Sequence, residues 1–423
     1  SVVISPPAHA MATLNVAIIG GGPAGLGAAI ALSRIPNVNW NLYEKKPEIS
    51  EISNGLTLQP TTWRMLEAFG AAHLLQPDDF FRPEGGHRTE HRNGRTGVLV
   101  KIGDVGHSVP PHQDACRIHR AKLQNALRSQ VEEGRIWVSR KLVSVQNLPS
   151  GKVHIEFEDG HSDDVDLLVG ADGIRSVVRR FAFPDYTIGY TGSTAYRTLV
   201  SASEASKING LPRQPIFWHG TDGKWAYTCP LGGDDWEITC SVKEPDGDAR
   251  SSWGKKGNLQ HFVSLFSEMC TPMQRLLGLA TYVEQYDYFA GSRIDTVVSQ
   301  DSIALIGDAS HPLSGAFGAG AGFALEDAYV LGRAVSWAAE EGRPLGEALR
   351  ILDDVRSPHY KALYEVLDEF AKVEKDLRSR SPRLDASSEI DERISGRWSA
   401  NSGWMHHYRV RRSTIEPLLD FSS

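Results

Sequence analysis

Apolar residues change their spacing repeatedly along this 423-residue chain. Near its start, "NVAIIGGGPAGLGAAIALSRI" (15–35) runs from a short apolar block through a glycine turn into small and apolar residues at helical spacing. "WNLYEKK" (40–46) then returns to a strand-like block. Short apolar runs bounded by glycine suit strands buried on both faces, so the pattern predicts a β-α-β unit with a parallel strand pair. Residues 61–75 and 117–134 carry helical periodicity. "GKVHIEFEDGHSDDVDLLVGADG" (151–173) alternates and then turns wholly apolar, which predicts a hairpin feeding a buried strand over 165–169.

The texture changes after about residue 185. "STAYRTLV", "QPIFWHG", "KWAYTCPL" and "DWEITCSV" are short, aromatic, alternating runs broken by Gly, Pro and Asp. They predict an antiparallel sheet. Residues 258–278 read as helical, 301–310 as a buried strand ending in Gly-Asp, and 322 to about 382 as helical again. The polar tail, 383–423, carries Trp398, Trp404 and Tyr408, and is expected to pack on the rest of the molecule. The pieces interleave into an α/β fold. A Rossmann-like domain is assembled from 11–185 and 283–360, an antiparallel β-sheet domain is inserted at 186–282, and a helical region, 361–423, ends the chain. Such an arrangement leaves a cleft between the domains.

Composition narrows the classes. With 41% hydrophobic and 23% charged residues, the chain is ordinary globular protein. A formal net charge of −7 lacks the basic footprint of general nucleic-acid binding. No run of about 18 apolar residues predicts a membrane span. The first ten residues lack the basic start and apolar stretch of a secretory signal, and Met11 reads as a natural start. The four cysteines (Cys116, Cys229, Cys240, Cys270) show no CxxC spacing and read as reduced core residues of a cytoplasmic protein. The fifteen histidines include no HExxH, and His107, His112, His119, His406 and His407 read as surface or loop residues. No metal site is expected.

Three motifs carry chemistry. Gly20-x-Gly22-x-x-Gly25 follows a strand and opens a helix, and Glu44 stands at the end of the next strand. Gly20 allows the tight turn, Gly22 lets a pyrophosphate approach the backbone, Gly25 lets the helix pack closely, and Glu44 can accept from a ribose hydroxyl. This context favours a dinucleotide over a purely structural turn, but does not choose FAD over NAD. In "DLLVGADGIRSVVRR" (166–180) a buried strand delivers Asp172 to its C-terminal end, the usual ligand edge of such a sheet. Arg175, Arg179 and Arg180 follow. For Arg179 and Arg180 a phosphate contact and a solvated helix face are equally open. In "LIGDASHPLSGAFGAGAGFALEDA" (305–328) a strand ends at Asp308 and a glycine run leads into a helix carrying Glu326 and Asp327. Small residues there let a flat ring lie against the backbone.

The three motifs in this order resemble the FAD-dependent aromatic-ring monooxygenases with the fold of para-hydroxybenzoate hydroxylase, and "GAGAG" before "ALEDA" is most similar to the salicylate-hydroxylase branch. The resemblance covers about 11–380. It implies one tightly held FAD in the Rossmann-like domain, NAD(P)H as a transient reductant, and O2 and a small aromatic substrate as partners of a monomer or homodimer. By resemblance, Gly20, Gly22, Gly25 and Glu44 serve the ADP part of FAD. Arg120, in "HRAKL", serves the phosphate side, and Asp172 serves FAD and the reductant's approach. Asp308 serves the ribityl and pyrophosphate, and Gly320 and Ala321 the isoalloxazine. Two departures stand out. Gly315 occupies the place of a usual proline, and "EISNG" (51–55) puts Ser53 and Asn54 where "EIGAG" is more frequent.

The implied reaction hydroxylates an electron-rich phenolic or heteroaromatic ring through a flavin hydroperoxide, with or without decarboxylation. A cation near the phenol would lower its pKa and hold the ring. Arg197 in "TAYRTLV" is the candidate anchor, with a surface ion pair as the alternative. Tyr227, on the same face of its strand as Cys229, is the candidate donor. Phe217, Trp218 and Trp225 read as sheet core rather than pocket, and His219 has no support of its own. A plain NAD-linked dehydrogenase leaves the two later motifs unexplained. A flavin halogenase lacks its WxWxIP stretch. An epoxidase, or a non-catalytic FAD-binding protein on the same fold, remains open.

Overall fold

A computed structural model describes residues 13–50, 55–103, 109–247, 250–251, 254–313 and 318–398. Met11, Ser53, Asn54, His107, Gly315, Trp404, His406, His407 and Tyr408 lie outside the described residues.

A six-stranded sheet forms the centre of the first half. Its order is Val298–Ser299, Ile303–Leu305, Leu167–Gly170, Leu14–Ile19, Val38–Tyr43 and Ile136–Trp137, parallel except at the first, antiparallel edge. Its central strands are apolar because both faces are covered. On one face, helix Pro23–Ser33 packs against helix Gly320–Glu340. A Cβ at Gly332 would come within 2.4 Å of the Ala31 Cβ, so glycine sets how closely these helices approach. On the other face a three-stranded antiparallel sheet contributes Leu142, Val145, Val153, Ile155 and Phe157 to a second core layer.

The second half is an eight-stranded sheet. Its central strands are Ile188–Ser201, Asp235–Lys243, Trp225–Gly232 and Ile216–His219. It also takes in Glu284–Gly291 and, from far earlier in the chain, Glu90–Asn93 and Leu99–Ile102. The sheet is therefore wider than the 186–282 insertion. Alternation divides its two faces. Tyr196, Trp218, Ala226, Trp236, Ile238 and Cys240 pack on helices Leu259–Leu265 and Thr271–Leu277. The intervening residues face inward, toward the first half.

Several predicted elements shift. The helix over 61–75 ends at Ala68, and Gly70 takes a positive φ of 75° before a single turn at Ala72–Leu74. The helix over 117–134 is preceded by strand Cys116–His119 and spans Arg120–Arg128. The long helical stretch after 322 divides into Gly320–Glu340 and the 35-residue Leu345–Ser379. Helix Ala386–Arg397 follows, and Trp398 packs on His91 and Phe370 at centroid distances of 4.3 and 5.2 Å. All four cysteines are free and buried. No described helix is long and apolar enough to cross a membrane. No described cluster of His, Cys, Asp or Glu could hold a metal ion.

Candidate active site

One cavity of about 1920 Å³ runs between the two halves. That exceeds the few hundred to roughly 1,000 Å³ of a pocket for one small ligand, and leaves room for a cofactor and a substrate together. Of the residues given a cofactor or substrate role by resemblance, all line it except Gly25.

The first glycine turn has distinct parts. Gly20 has φ +112°, and a Cβ there would lie 2.3 Å from the Ala171 carbonyl oxygen. A Cβ at Gly25 would lie 1.8 Å from the Gly20 carbonyl oxygen, so Gly25 closes the turn on itself. A Cβ at Gly22 would meet nothing within 4 Å, because Gly22 borders the open cavity. Gly22 caps helix Pro23–Ser33, which has no side-chain cap and no acidic residue in its first turn. The Glu44 carboxylate accepts from the Gly21 N–H (2.7 Å) and the Lys46 N–H (2.9 Å), which holds it beside the turn. Gln124, four residues after Arg120 on the same helix face, donates to the Gly21 carbonyl (3.1 Å). The sequence reading missed Gln124, although the helical spacing from Arg120 pointed to it.

The second glycine run meets the same cavity. Helix Gly320–Glu340 also starts with neither a side-chain cap nor an acidic first turn. A Cβ at Gly320 would have only the Asp308 Oδ1, at 3.9 Å, within reach. Two long helices thus present uncapped N-termini, with their N–H donors and positive dipole ends, to one space. Asp308 opens onto the cavity but is surrounded by protein. Burial raises its carboxyl, opposed by the charges of Arg120 and Arg179. Burial likewise raises Asp172, whose Oδ2 accepts from the Val177 N–H (2.7 Å) and whose Oδ1 is buried without a hydrogen bond.

Arg179 corrects both readings given to it. It is 1% exposed and donates to the carbonyls of Asp308 (3.0 Å), Ala309 (2.8 Å) and Ile174. It staples two strand ends together and faces neither a phosphate nor solvent. Arg180 is exposed and, like Arg175, lines the cavity.

The inner face of the large sheet supplies the rest. Arg197, Tyr227, Glu237, Thr239 and Tyr288 line the cavity there. The Arg197 Nε is buried without a hydrogen-bond partner, and its guanidinium lies 5.0 Å from the Tyr286 ring centroid. The Tyr227 hydroxyl is raised far above its ordinary value by burial and then by Cys229. Phe217 and Trp225 also line the cavity, and only Trp218 belongs to the core. Odd-numbered positions on these two strands face the cavity, so Phe217 and Trp225 share the face of Tyr227 rather than the core with Trp218.

Two pairs escaped the sequence reading. Arg117 donates to Glu237 through Nε (2.9 Å) and Nη2, and to the Thr57 hydroxyl (3.0 Å). Glu237 also accepts from the Gly55 N–H (3.2 Å) and Thr239 (3.0 Å). Burial alone would raise Glu237, but Arg117 outweighs it and the carboxyl is lowered. The signal was present in "DWEITCSV", where an acid stands inside an otherwise buried strand. The second pair is His91 and His219, with Nδ1 and Nε2 3.0 Å apart. Burial lowers His91 to about 3, and burial followed by the charge of His91 lowers His219 well below the ordinary range.

Comparison with known proteins agrees with this geometry. The family described as FAD binding domain matches residues 13–359. A salicylate hydroxylase of Pseudomonas putida is 27% identical over 374 residues, covering 82% of each chain. A 3-hydroxybenzoate 6-hydroxylase of Klebsiella oxytoca is 26% identical, covering 82% of this chain and 85% of its own. Among solved structures, a salicylate hydroxylase substrate complex superposes with a TM-score of 0.74 at 23% identity, over 95% of this chain and 99% of its own. HpxO of Klebsiella pneumoniae, complexed with FAD and uric acid, gives 0.69 at 22% identity, over 90% and 97%.

Proposed function

The chain belongs to the FAD-binding family of flavin-dependent monooxygenases, and from that premise we propose that it hydroxylates a phenolic or related electron-rich aromatic acid held against the inner face of the large sheet. The cavity's two uncapped helix starts and the open space over Gly22 and Gly320 fit FAD. Gly20, Gly22, Glu44 and Arg120 would hold its ADP and phosphate part, and Asp172, Asp308, Gly320 and Ala321 its flavin part. Gly25 supports the turn from behind. When bound, FAD supplies the redox chemistry that passes electrons from NAD(P)H to O2.

One observation carries the substrate reading. Arg117 and Arg197 stand with a single carboxylate, Glu237, in the inner cavity, and the Arg197 Nε has no partner of its own. The excess cation favours an ionised phenol or carboxylate there, because opposite charge at short range stabilises the anionic form. Ionisation makes the ring electron-rich at the carbon to be oxidised. The Tyr227 hydroxyl, kept protonated, is placed to donate to the same oxygen, and the aromatic walls exclude water. The flavin domain in this reading comprises 11–185 and 283–360, and the substrate domain 186–282 with the strands its sheet recruits. The protein acts in the cytoplasm, as a monomer or homodimer.

The test is reductant oxidation by the flavin-loaded protein across a panel of phenols and aromatic acids, with product mass read alongside. A substrate gaining one oxygen atom is the expected product. Arg197→Ala should raise its KM about 10- to 100-fold, the scale of one hydrogen bond to a charged group. An Arg197→Ala protein with unchanged KM and kcat removes Arg197 as the anchor. No stimulation by any aromatic removes the hydroxylase reading in favour of a non-catalytic flavoprotein.

A further inference from the structure

The outer part of the cavity has a wall pattern that a single small ring does not use. Glu237, Thr239, Ser241 and Lys243 are alternate residues of one strand, and all four line the cavity. At about 3.4 Å per residue, Lys243 lies roughly 20 Å along the strand from Glu237. The opposite wall is one face of helix Leu345–Ser379, whose lining residues Leu367, Phe370, Ala371, Glu374, Lys375 and Arg378 are spaced three and four apart. Both walls change character in the same direction. They begin apolar or polar and buried, pass the rings of Phe217, Trp225 and Trp398, and end in cations.

The charges at that end are unbalanced. Glu374 is the carboxylate lining that end; one of its oxygens accepts from the Arg393 Nε and the Arg397 Nη2 at 2.6 Å each, the other is buried without a hydrogen bond, and Asp222 adds a negative charge near Lys243. Arg378 reaches Glu374 only at 3.9 Å. The Lys243 and Lys375 side chains are exposed and make no hydrogen bond or ion pair among the described residues. Burial lowers the Lys243 ammonium first, and the charge of Arg378 adds to that against the opposing charges of Glu374 and Asp222. The wider cavity shares the bias. Lysine and arginine outnumber aspartate and glutamate on its walls by nearly two to one, although the whole chain is acidic.

We propose that this corridor binds an extended aromatic substrate, its ring at Arg197 and Tyr227, its chain along the aromatic walls, and a terminal carboxylate or phosphate at Lys243, Lys375 and Arg378. This rests on the hydroxylase reading for the ring and adds the chain and the distal anion.

The experiment uses flavin-loaded protein and ω-(4-hydroxyphenyl)alkanoic acids of increasing length, each beside its methyl ester. KM for the acids should fall as the chain lengthens, and KM for the longest acid should rise with salt. Lys243→Gln/Arg378→Gln should change the acid-to-ester KM ratio about tenfold, the scale of two exposed charge contacts. An acid-to-ester ratio near one in the unmodified protein, or a ratio untouched by the double substitution, overturns the proposal. A double substitution that raises KM for NADPH but not NADH, with the acid unaffected, assigns the cations to the reductant's phosphate and equally overturns it. If no phenol stimulates oxidation, the hydroxylase reading fails separately. The corridor is then read by tryptophan fluorescence, since Trp225 and Trp398 stand in its wall. Quenching by the long acid, weakened by salt and by the double substitution, upholds it, and the absence of such quenching refutes it.

Discussion

At Gly22 and Gly25, two glycines of one motif do different work. Gly22 has an ordinary extended backbone, φ −76° and ψ −177°, so its lack of a side chain serves the space above it. Gly25 has no room for a Cβ at all. Gly25→Ala should therefore destabilise the flavin-free protein by about 3 kcal/mol or more, as overpacking against backbone does. Gly22→Ala should melt within about 0.5 kcal/mol of the parent and lose flavin on gel filtration. Thermal melts and retained flavin absorbance separate the two. Glu237→Gln, which leaves Arg117 buried without its counter-charge, should cost about 3–5 kcal/mol in a urea titration. The glycines were legible because each answers to local geometry. Arg117 and Glu237 were not paired in the sequence, since 120 residues separate them and only the approach of two sheets joins them. The same reason hid the role of Arg179: two of its three carbonyl partners are about 130 residues away.

Strands and helices were read well where their ends were marked. The strand and turn before Asp308 are an example, and the structure adds what fixes that turn. Asp327, in the helix after the glycine run, accepts from the Gly307 N–H (2.8 Å), the Tyr360 hydroxyl (2.7 Å) and the Arg356 Nε (2.6 Å). One buried carboxylate thus ties the turn to helices Gly320–Glu340 and Leu345–Ser379. Asp327→Asn should cost about 2–3 kcal/mol and speed amide exchange at Gly307 while exchange in strand Leu14–Ile19 stays slow. Equal acceleration in both would mean the turn has no separate tether. At the element scale the expectation for Phe217 and Trp225 was the one that differed. Alternation says that neighbouring side chains part company, but not which set meets the core. In Trp225–Gly232 and Ile216–His219 the answer came from the helices that cover Trp218 and Ala226.

Across the whole molecule, buried neutral histidines set the response to acid. Burial holds His91 and His311 each near 3, beside Lys101 for the first and Arg356 and Arg179 for the second. Above the ordinary value of 6.5 both folded and unfolded rings are neutral, and these groups cost nothing. As pH falls from 6.5 toward 3 the unfolded rings take up protons that the folded rings refuse, so stability is lost. Each histidine contributes a slope of roughly 1.4 kcal/mol per pH unit over that window. The melting temperature should fall steadily below pH 6.5, and more gently in His311→Gln, if that variant folds, than in the parent. An identical slope would show that His311 is protonated in the native protein.

The interleaved strand order also bears on how the chain is made. Leu167–Gly170 sits at the middle of the parallel sheet, and its outer neighbour is Ile303–Leu305. On the ribosome, an apolar strand edge waits while about 130 further residues are translated. At 5–20 residues per second that is roughly 7 to 27 seconds. For that interval the nascent protein carries an open template for strand pairing, and a chaperone that shields it would have the most to do before residue 305 emerges.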